Sequence, residues 1–545
     1  MGSGRDKRRK AKGKKPGVGA QKTARKAELN DEKMQRRMER KAQGGEDDID
    51  ALLAKFQLES SATTKVAVIN DVRPSARVYA SFTALPTQKN NEILLFGGEW
   101  YDSDRDKMYA YADIFVLDVD KQRWRRVVTP GGPLPRSSHQ AVATKHYLYV
   151  FGGEFTSLNQ EKFKHYGDLW RLSLADWAWE ALPIRGGPSA RSGHRMALHR
   201  GRLLLFGGFW DAGREPRYYN DLWAFDLAEM RWECLGPPEH AGVNWPSPRG
   251  GCQLAVHGDL LYVIGGYSLL VSGDTKKAST GKRRGDGDEE DEEGKPVVHD
   301  DVWCYDLKAG AWERVRKAGM APGPRTGFGL VSHRKRAVLF GGILDRAGAR
   351  NRVYSELFNE LYQLNLESRR WYPMALRPPA KRKGAEEEGE REAAEREAAA
   401  PAPTDPFLAG LTPAQRQALD KAATRIQSRY RGYAVRKAYQ AYKLGGAVSE
   451  LLYSPALYGV DLGASADVVK PRARAAPLMA VAGDTLWLLG GIVEVARTDV
   501  VLDDLWSLNL AKLDGWTPVA ENTAGEELKD LSDWETGSSS DDEDG

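Results

Sequence analysis

Leu203-Leu204-Leu205-Phe206-Gly207-Gly208, followed by Asp221-Leu222-Trp223 and then by Trp232, is the stretch on which the fold turns. The apolar run reads as a buried strand. Two glycines at its end permit positive φ and close backbone approach. Asp221-Leu222-Trp223 reads as an amphipathic strand, Trp232 opens another, and Ala190-Arg191 leads one upstream. Working outward, the same order recurs at Gly97-Gly98, Gly152-Gly153, Gly265-Gly266, Gly341-Gly342 and Gly490-Gly491. Each pair follows an apolar run and precedes an acidic-apolar-aromatic step: Asp113-Ile114-Phe115, Asp168-Leu169-Trp170, Asp301-Val302-Trp303, Glu360-Leu361-Tyr362 or Asp504-Leu505-Trp506. Trp124, Trp179, Trp312, Trp371 and Trp516 come next, and Arg77, Arg136, Arg249, Arg325 and Arg472 lead the strands upstream. That is four strands in each of six repeats.

These markers, recurring in order over most of residues 73–519, are identified as kelch repeats. The resemblance implies an all-β fold, a six-bladed kelch β-propeller. A four-stranded sheet cannot bury both faces alone, so the blades bury one another around an axis. The expected boundaries are a basic tail plus short amphipathic helix over 1–72, blades one to five over 73–372, an insertion over 373–470, blade six over 471–519 and an acidic tail over 520–545.

The chain has 545 residues and a net charge of only +4, which hides strong segregation. Residues 1–41 are rich in Lys and Arg, with Arg8-Arg9-Lys10 and Lys14-Lys15-Pro16, and read as a disordered tail. Its readings are a nuclear or nucleolar signal, a weak contact with RNA or an acidic protein, or a solvated tail. No run approaches membrane-spanning length, no signal-peptide core begins the chain, and Cys234, Cys252 and Cys304 are a sparse, odd set. These features point to a soluble intracellular protein, nuclear or cytoplasmic, without disulfides and without a membrane partner.

Glu46 to Leu58 reads as a short helix with Ile49, Leu52, Leu53 and Phe56 on one stripe. With the lysine-rich start and six kelch copies, the architecture resembles the kelch domain-containing protein 4 family. That resemblance implies no catalytic motif.

Residues 267–299 are a charged excursion inside the fourth repeat, and 380–403 are Glu/Ala-rich. Residues 412–445 differ. Thr412 suits an N-cap, Pro413 the first helical position and Gly445 a stop. Within them, Ile426, Gln427, Arg431, Gly432, Arg436 and Tyr439 match the IQ motif, and Tyr430 and Tyr433 extend its apolar stripe at helical spacing. Lys421 to Lys443 holds seven Lys or Arg and no acid. The resemblance implies binding of calmodulin or a related EF-hand protein; an acidic two-lobed partner can grip the stripe while the cations orient it. The plainer reading is a docked or solvated basic helix.

Antiparallel strands alternate in direction, so the loops joining strands two and three leave from the same side as those joining successive blades. Three such loops are aromatic: Trp100, Tyr101, Tyr109 and Tyr111; Phe155, Phe163, His165 and Tyr166; Trp210, Tyr218 and Tyr219. They define the expected protein-binding face. The leading Arg136, Arg191, Arg249 and Arg325 begin strands near it. They could form a guanidinium ring for carboxylate or phosphate, or tie the blades together through neighbouring carbonyls and acids.

Neither a nucleophile elbow, a phosphate loop nor metal-ligand spacing is present, so no catalytic residue, metal or cofactor is expected. His139 and His194 stand three residues after a leading Arg, where Cys252 and Phe328 stand in later repeats, which reads as a packing slot. The expected function is a non-enzymatic scaffold: an unidentified protein partner on the propeller face and calmodulin or a relative on the IQ helix. The alternatives are a ubiquitin-ligase substrate receptor, or a nuclear or nucleolar adaptor using the basic tail on RNA-rich assemblies.

Overall fold

The structure is a computed structural model that describes residues 49–86, 91–103, 105–160, 162–183, 185–211, 216–237, 244–270, 295–347, 353–376, 469–495 and 498–523. The IQ segment, most of the charged excursion and both tails lie outside the described residues. Two compact units are distinguished, Met1–Lys55 and Phe56–Gly545, and the propeller lies wholly in the second.

Six antiparallel blades are present, each a meander whose first strand lies innermost. The second strands, such as Glu92–Phe96, Tyr147–Phe151 and Arg202–Phe206, are buried along nearly their whole length. Their unbroken apolar runs follow from cover on both faces by neighbouring blades. Six apolar clusters fill the six junctions. One joins Phe82, Leu95 and Trp124 of blade one to Ala480, Trp487 and Leu489 of blade six, which closes the ring. The repeat Trp residues begin or nearly begin the fourth strands, and Trp124, Trp232, Trp312, Trp371 and Trp516 are buried in these junctions.

Three features differ from the sequence reading. Blade one has a fifth strand, Ala67–Asn70, outside its fourth strand Arg123–Val128. Its four residues lack the alternation of a half-buried strand, and all are exposed. Arg73, just ahead of blade one, donates to the carbonyls of Glu521 (3.1 Å) and Asp503, which fastens it to blade six, whose four strands lie within residues 478–520. The blade-six leader is Arg474, not Arg472: Arg474 is fully buried and bonds Asp504 Oδ1 at 2.6 Å. In Arg472-Ala473-Arg474 either arginine fits the motif, and the distance to the glycine pair decides. Finally, the aromatic loops are two-stranded hairpins.

The helix runs Ile49–Ala62, four residues beyond the expected end. Ile49 and Leu53 of the expected stripe are buried and Leu52 and Phe56 half-buried. Phe56 meets Phe155 edge-on at 6.3 Å.

Candidate functional site

Each of the first five blades sends a hairpin from the junction of strands two and three. The pairs are Glu99–Asp102 with Lys107–Ala110, Glu154–Thr156 with Phe163–His165, Phe209–Trp210 with Arg217–Tyr218, Tyr267–Leu270 with Lys295–Val298, and Ile343–Ala347 with Val353–Leu357. In blade six the strands run on without a break as Thr485–Val495 and Thr498–Asn509. One bridge ties the base of each hairpin to the residue after the leading arginine, as between Ser137 and Glu154.

The glycine pair and the leading arginine form the joint between blades. Gly152 has φ +65°, and a Cβ there would stand 2.7 Å from the Arg191 carbonyl of the next blade. Gly153 N–H donates to that same carbonyl at 2.9 Å, and Arg191 N–H donates to the Tyr166 carbonyl at 3.0 Å. The Arg191 side chain turns back into its own blade. Nη1 donates to Gly207 O (3.0 Å) and Asp221 Oδ1 (2.6 Å), and Nη2 donates to Asp221 Oδ2 (2.9 Å). Arg136 repeats this with Gly152 O (3.0 Å) and Asp168 (2.8 and 3.0 Å), Arg249 with Gly265 O (3.1 Å) and Asp301 (2.6 Å), and Arg325 with Glu360 (2.9 Å). Asp168 is held below the usual carboxylate range although burial alone would raise it, because Arg136 and the Trp170 indole N–H favour its charge.

Of the two readings of the leading arginines, the geometry fits the tie between blades and not the guanidinium ring. Arg136, Arg191, Arg249 and Arg325 are all buried, and pairing with an acid inside the blade occupies their donors. Arg136 lies 4.1 Å above the Tyr166 ring, Arg191 4.0 Å above Tyr219, and Arg325 3.9 Å above Phe358. Of the expected face, Phe155 and Tyr166 are buried as well, with the Tyr166 hydroxyl donating to the Pro135 carbonyl at 3.2 Å. These side chains support the face from below.

Trp210 reaches the surface, and Trp100, Tyr101, Tyr218 and Tyr219 are half-buried. Trp100 stacks on Tyr109 (5.8 Å), and the Tyr101 hydroxyl donates to Asp106 (2.8 Å). Tyr218 lies between Phe209 (5.8 Å) and Tyr267 (5.9 Å), and Trp210 is 39% exposed. Between blades one and two a cleft of about 610 Å³ opens, lined by Phe56, Leu134, Pro135, Trp170 and Trp179 among others.

Sequence reasoning missed a polar cluster. Glu99 Oε2 accepts from Ser137 Oγ (2.7 Å) and Glu154 Oε2 from Ser192 Oγ (3.2 Å). His165 Nδ1 stands 3.1 Å from Ser192 Oγ and 3.7 Å from Glu154. Burial, and then the charge of Glu99, push the Glu154 carboxyl up to about 7. Burial also raises Glu99, while it pulls His165 down, toward the neutral ring. The signal was in the repeat: only the first two blades put an acid after the glycine pair, where the others have Phe209, Tyr267, Ile343 and Ile492.

His139 and His194 are buried, meeting Phe96 and Phe151 edge-on at 5.2 and 5.4 Å. Burial drives His139 down to about 3 and His194 well below its usual value, so both rings pack as neutral aromatics where Phe328 does. Among the described residues no group of three His, Cys, Asp or Glu could hold a metal ion, and no helix is long and apolar enough to cross a membrane.

This geometry belongs to a six-bladed propeller of kelch repeats, and residues 83–342 match the KLHDC2/KLHL20/DRC7 Kelch-repeats domain. Residues 420–440 match the IQ calmodulin-binding motif. The chain is 28% identical to mouse kelch domain-containing protein 1 over 43% of its own length and 55% of that protein's. It is 26% identical to human host cell factor 2 (46% and 28%). It is 31% identical to the flagellar outer arm dynein alpha chain of Chlamydomonas reinhardtii (32% and 4%). The chain thus spans about half the length of kelch domain-containing protein 1 and less of the other two. The likeness is to kelch-repeat proteins such as kelch domain-containing protein 1 and not specifically to the kelch domain-containing protein 4 family.

Proposed function

We propose that the chain is a non-enzymatic scaffold that holds one protein on the hairpin face while the IQ segment takes calmodulin or an EF-hand relative. The observation that carries this is the ordered IQ match, inserted where the chain passes from blade five to blade six. Connections between blades emerge on the hairpin side, so a calmodulin lobe gripping Ile426, Gln427, Tyr430 and Tyr433 is tethered beside that face. Arg431 and Arg436 orient the acidic lobes, Gly432 admits close approach, and Tyr439 closes the apolar stripe. On the propeller, Trp100, Tyr101, Trp210 and Tyr218 supply rigid amphipathic contact area of the kind that anchors protein interfaces. Residence in the nucleus or cytoplasm follows from a calmodulin-type partner.

The test is calorimetry of the full chain, and of a peptide spanning residues 412–445, against calmodulin with and without calcium. Binding at micromolar affinity or tighter, lost in Ile426→Ala/Gln427→Ala, is expected. The absence of binding under both conditions refutes the IQ assignment and leaves the propeller face as the interaction surface.

A further inference from the structure

Two linkers between blades differ at one equivalent place. Trp245 stands four residues before the leading Arg249, and Gly132 stands four before the leading Arg136. Trp245 packs into the junction of blades three and four. Its ring meets Trp312 at 5.7 Å and Tyr305 at 6.5 Å, and its indole N–H donates to the Asn220 carbonyl at 2.8 Å. Blades one and two offer the matching walls: Trp179 for Trp312, Trp170 for Trp303, and Ala112, which precedes Asp113 as Asn220 precedes Asp221. Their linker brings only Gly132, where a Cβ would stand 2.7 Å from the Trp179 ring. What is left is the cleft of about 610 Å³. Ala112 lines it, and among the described residues no group donates to the Ala112 carbonyl.

The chain carries an indole within reach of this seat. Of its sixteen tryptophans, only Trp534 lies outside the described residues. The described chain ends at Thr523, whose N–H donates to Asp503 Oδ1 at 2.8 Å. Aligning Trp516 with Trp124 sets Thr523 level with Gly131, one junction away from the cleft. On a ring of six blades the chord between successive junctions equals the radius, about 20 Å at the fourth strand for strands about 4.8 Å apart. The eleven residues from Thr523 to Trp534 span at most about 36–40 Å. Charge fits as well. Asp533 and Glu535 flank Trp534, and Arg126, which lines the cleft, is exposed and has no carboxylate partner among the described residues. Asp113 and Asp168 at the cleft are already paired with Arg77 and Arg136.

We propose that Trp534 seats in the cleft between blades one and two, as Trp245 seats between blades three and four. Its indole N–H donates to the Ala112 carbonyl, and Asp533 and Glu535 lie beside Arg126. The linkers between blades emerge on the hairpin side. The seated segment therefore covers the rim of that face next to the hairpin of blade one, and a protein that uses this rim must first displace it.

The test is fluorine NMR of the full chain labelled with 5-fluorotryptophan, in which Trp534→Phe identifies the Trp534 signal. A peptide of residues 524–545 gives the position of that signal when unseated. In the wild type the signal is expected broadened and displaced from that position. Leu134→Asp, which puts a charge in the cleft, and Arg126→Glu, an exposed change that leaves the melt unchanged, are each expected to return it toward the peptide's position. A dye-labelled peptide of residues 524–545 is expected to bind full-length Trp534→Ala about tenfold more tightly than wild type, whose tethered segment competes at a high effective concentration. That peptide carrying Asp533→Lys and Glu535→Lys is expected to regain binding to full-length Arg126→Glu/Trp534→Ala. A wild-type Trp534 signal at the peptide's position, a displaced signal indifferent to both cleft variants, or equal peptide binding by wild type and Trp534→Ala overturns the proposal. A free Trp534 beside a cleft that captures tryptophan in an unrelated peptide, in a Leu134→Asp-sensitive way, overturns it too and assigns the seat to another protein.

Discussion

Replacing Glu154 by Gln should make the protein more stable, and increasingly so as the pH rises. The carboxyl sits under the hairpin face with its side chain 14% exposed, hydrogen-bonded by Ser192 and close to the charge of Glu99. Its folded pKa is raised from the usual 4.5 to about 7. A carboxyl with a raised folded pKa binds its proton more tightly in the folded chain than in the unfolded one. Its contribution is thus complete below the unfolded pKa and is lost as the pH climbs through the folded one. Integrated over that window, ionising Glu154 costs about 1 kcal/mol at pH 5, about 2 kcal/mol at pH 6 and about 3 kcal/mol at pH 8. Glutamine keeps an acceptor for Ser192 Oγ and carries no charge. Urea midpoints of wild type and Glu154→Gln, measured from pH 5 to pH 8, should diverge with the variant ahead, chiefly between pH 5 and pH 7. A constant difference across that range, or a variant that loses ground as the pH rises, would refute the placement of an uncompensated carboxyl at this site. Glu99→Gln should act in the same direction, and should also lower the midpoint of the Glu154 titration by removing the neighbouring charge.

Arg136→Ala should lower stability by about 2–3 kcal/mol in denaturant unfolding, since it breaks a bidentate pair whose arginine is fully buried, with the loss reduced because the Asp168 left behind is 39% exposed and reaches water. Gly152→Ala places a Cβ 2.7 Å from the Arg191 carbonyl at φ +65° and should cost about 2–4 kcal/mol. Gly186→Ala has a similar φ of +72° but open space around the new methyl, and should cost only about 1–2 kcal/mol. Trp210→Ala should leave unfolding within about 0.5 kcal/mol of wild type while reducing capture of proteins by the full chain in pull-downs.

The blades were readable because their logic is periodic. A buried second strand is an unbroken apolar run, and the joint needs a glycine pair on one blade and an arginine on the next; these appear in every copy. Arg472 was mistaken for Arg474 because the motif fixes the residue type and not the register, and only the bond to Asp504 separates them. The strand Ala67–Asn70 was missed because it buries neither face and so carries no alternation. The leading arginines were legible as ties, because a residue repeated in every blade alongside a repeated acid suits a joint; the sequence left open whether a guanidinium edge stays free for a ligand, and Asp168 and Asp221 take those edges from Arg136 and Arg191. Tyr166 was gathered with the surface aromatics, although it is buried, because an aromatic beneath a guanidinium and one open to water are spelled alike.

The joint also explains why the residue after each glycine pair can vary so widely. Its backbone makes the bridge to the residue after the leading arginine, a contact that any residue type can supply, while its side chain adds contacts of its own, as Glu99 does with Ser137 and Glu154 with Ser192. Position by position it is Glu99, Glu154, Phe209, Tyr267, Ile343 and Ile492, all held in one geometry at the base of the hairpins. A ring that fixes six backbones and frees six side chains is a platform on which recognition can change without endangering the fold. Here that freedom has put two acids on adjacent blades against aromatic and aliphatic residues on the other four. Burying them costs stability at neutral pH, and the fold does not require that cost. The charge asymmetry at the hairpin bases is thus a feature of the first two blades, and it gives their joints a dependence on pH that the other four lack.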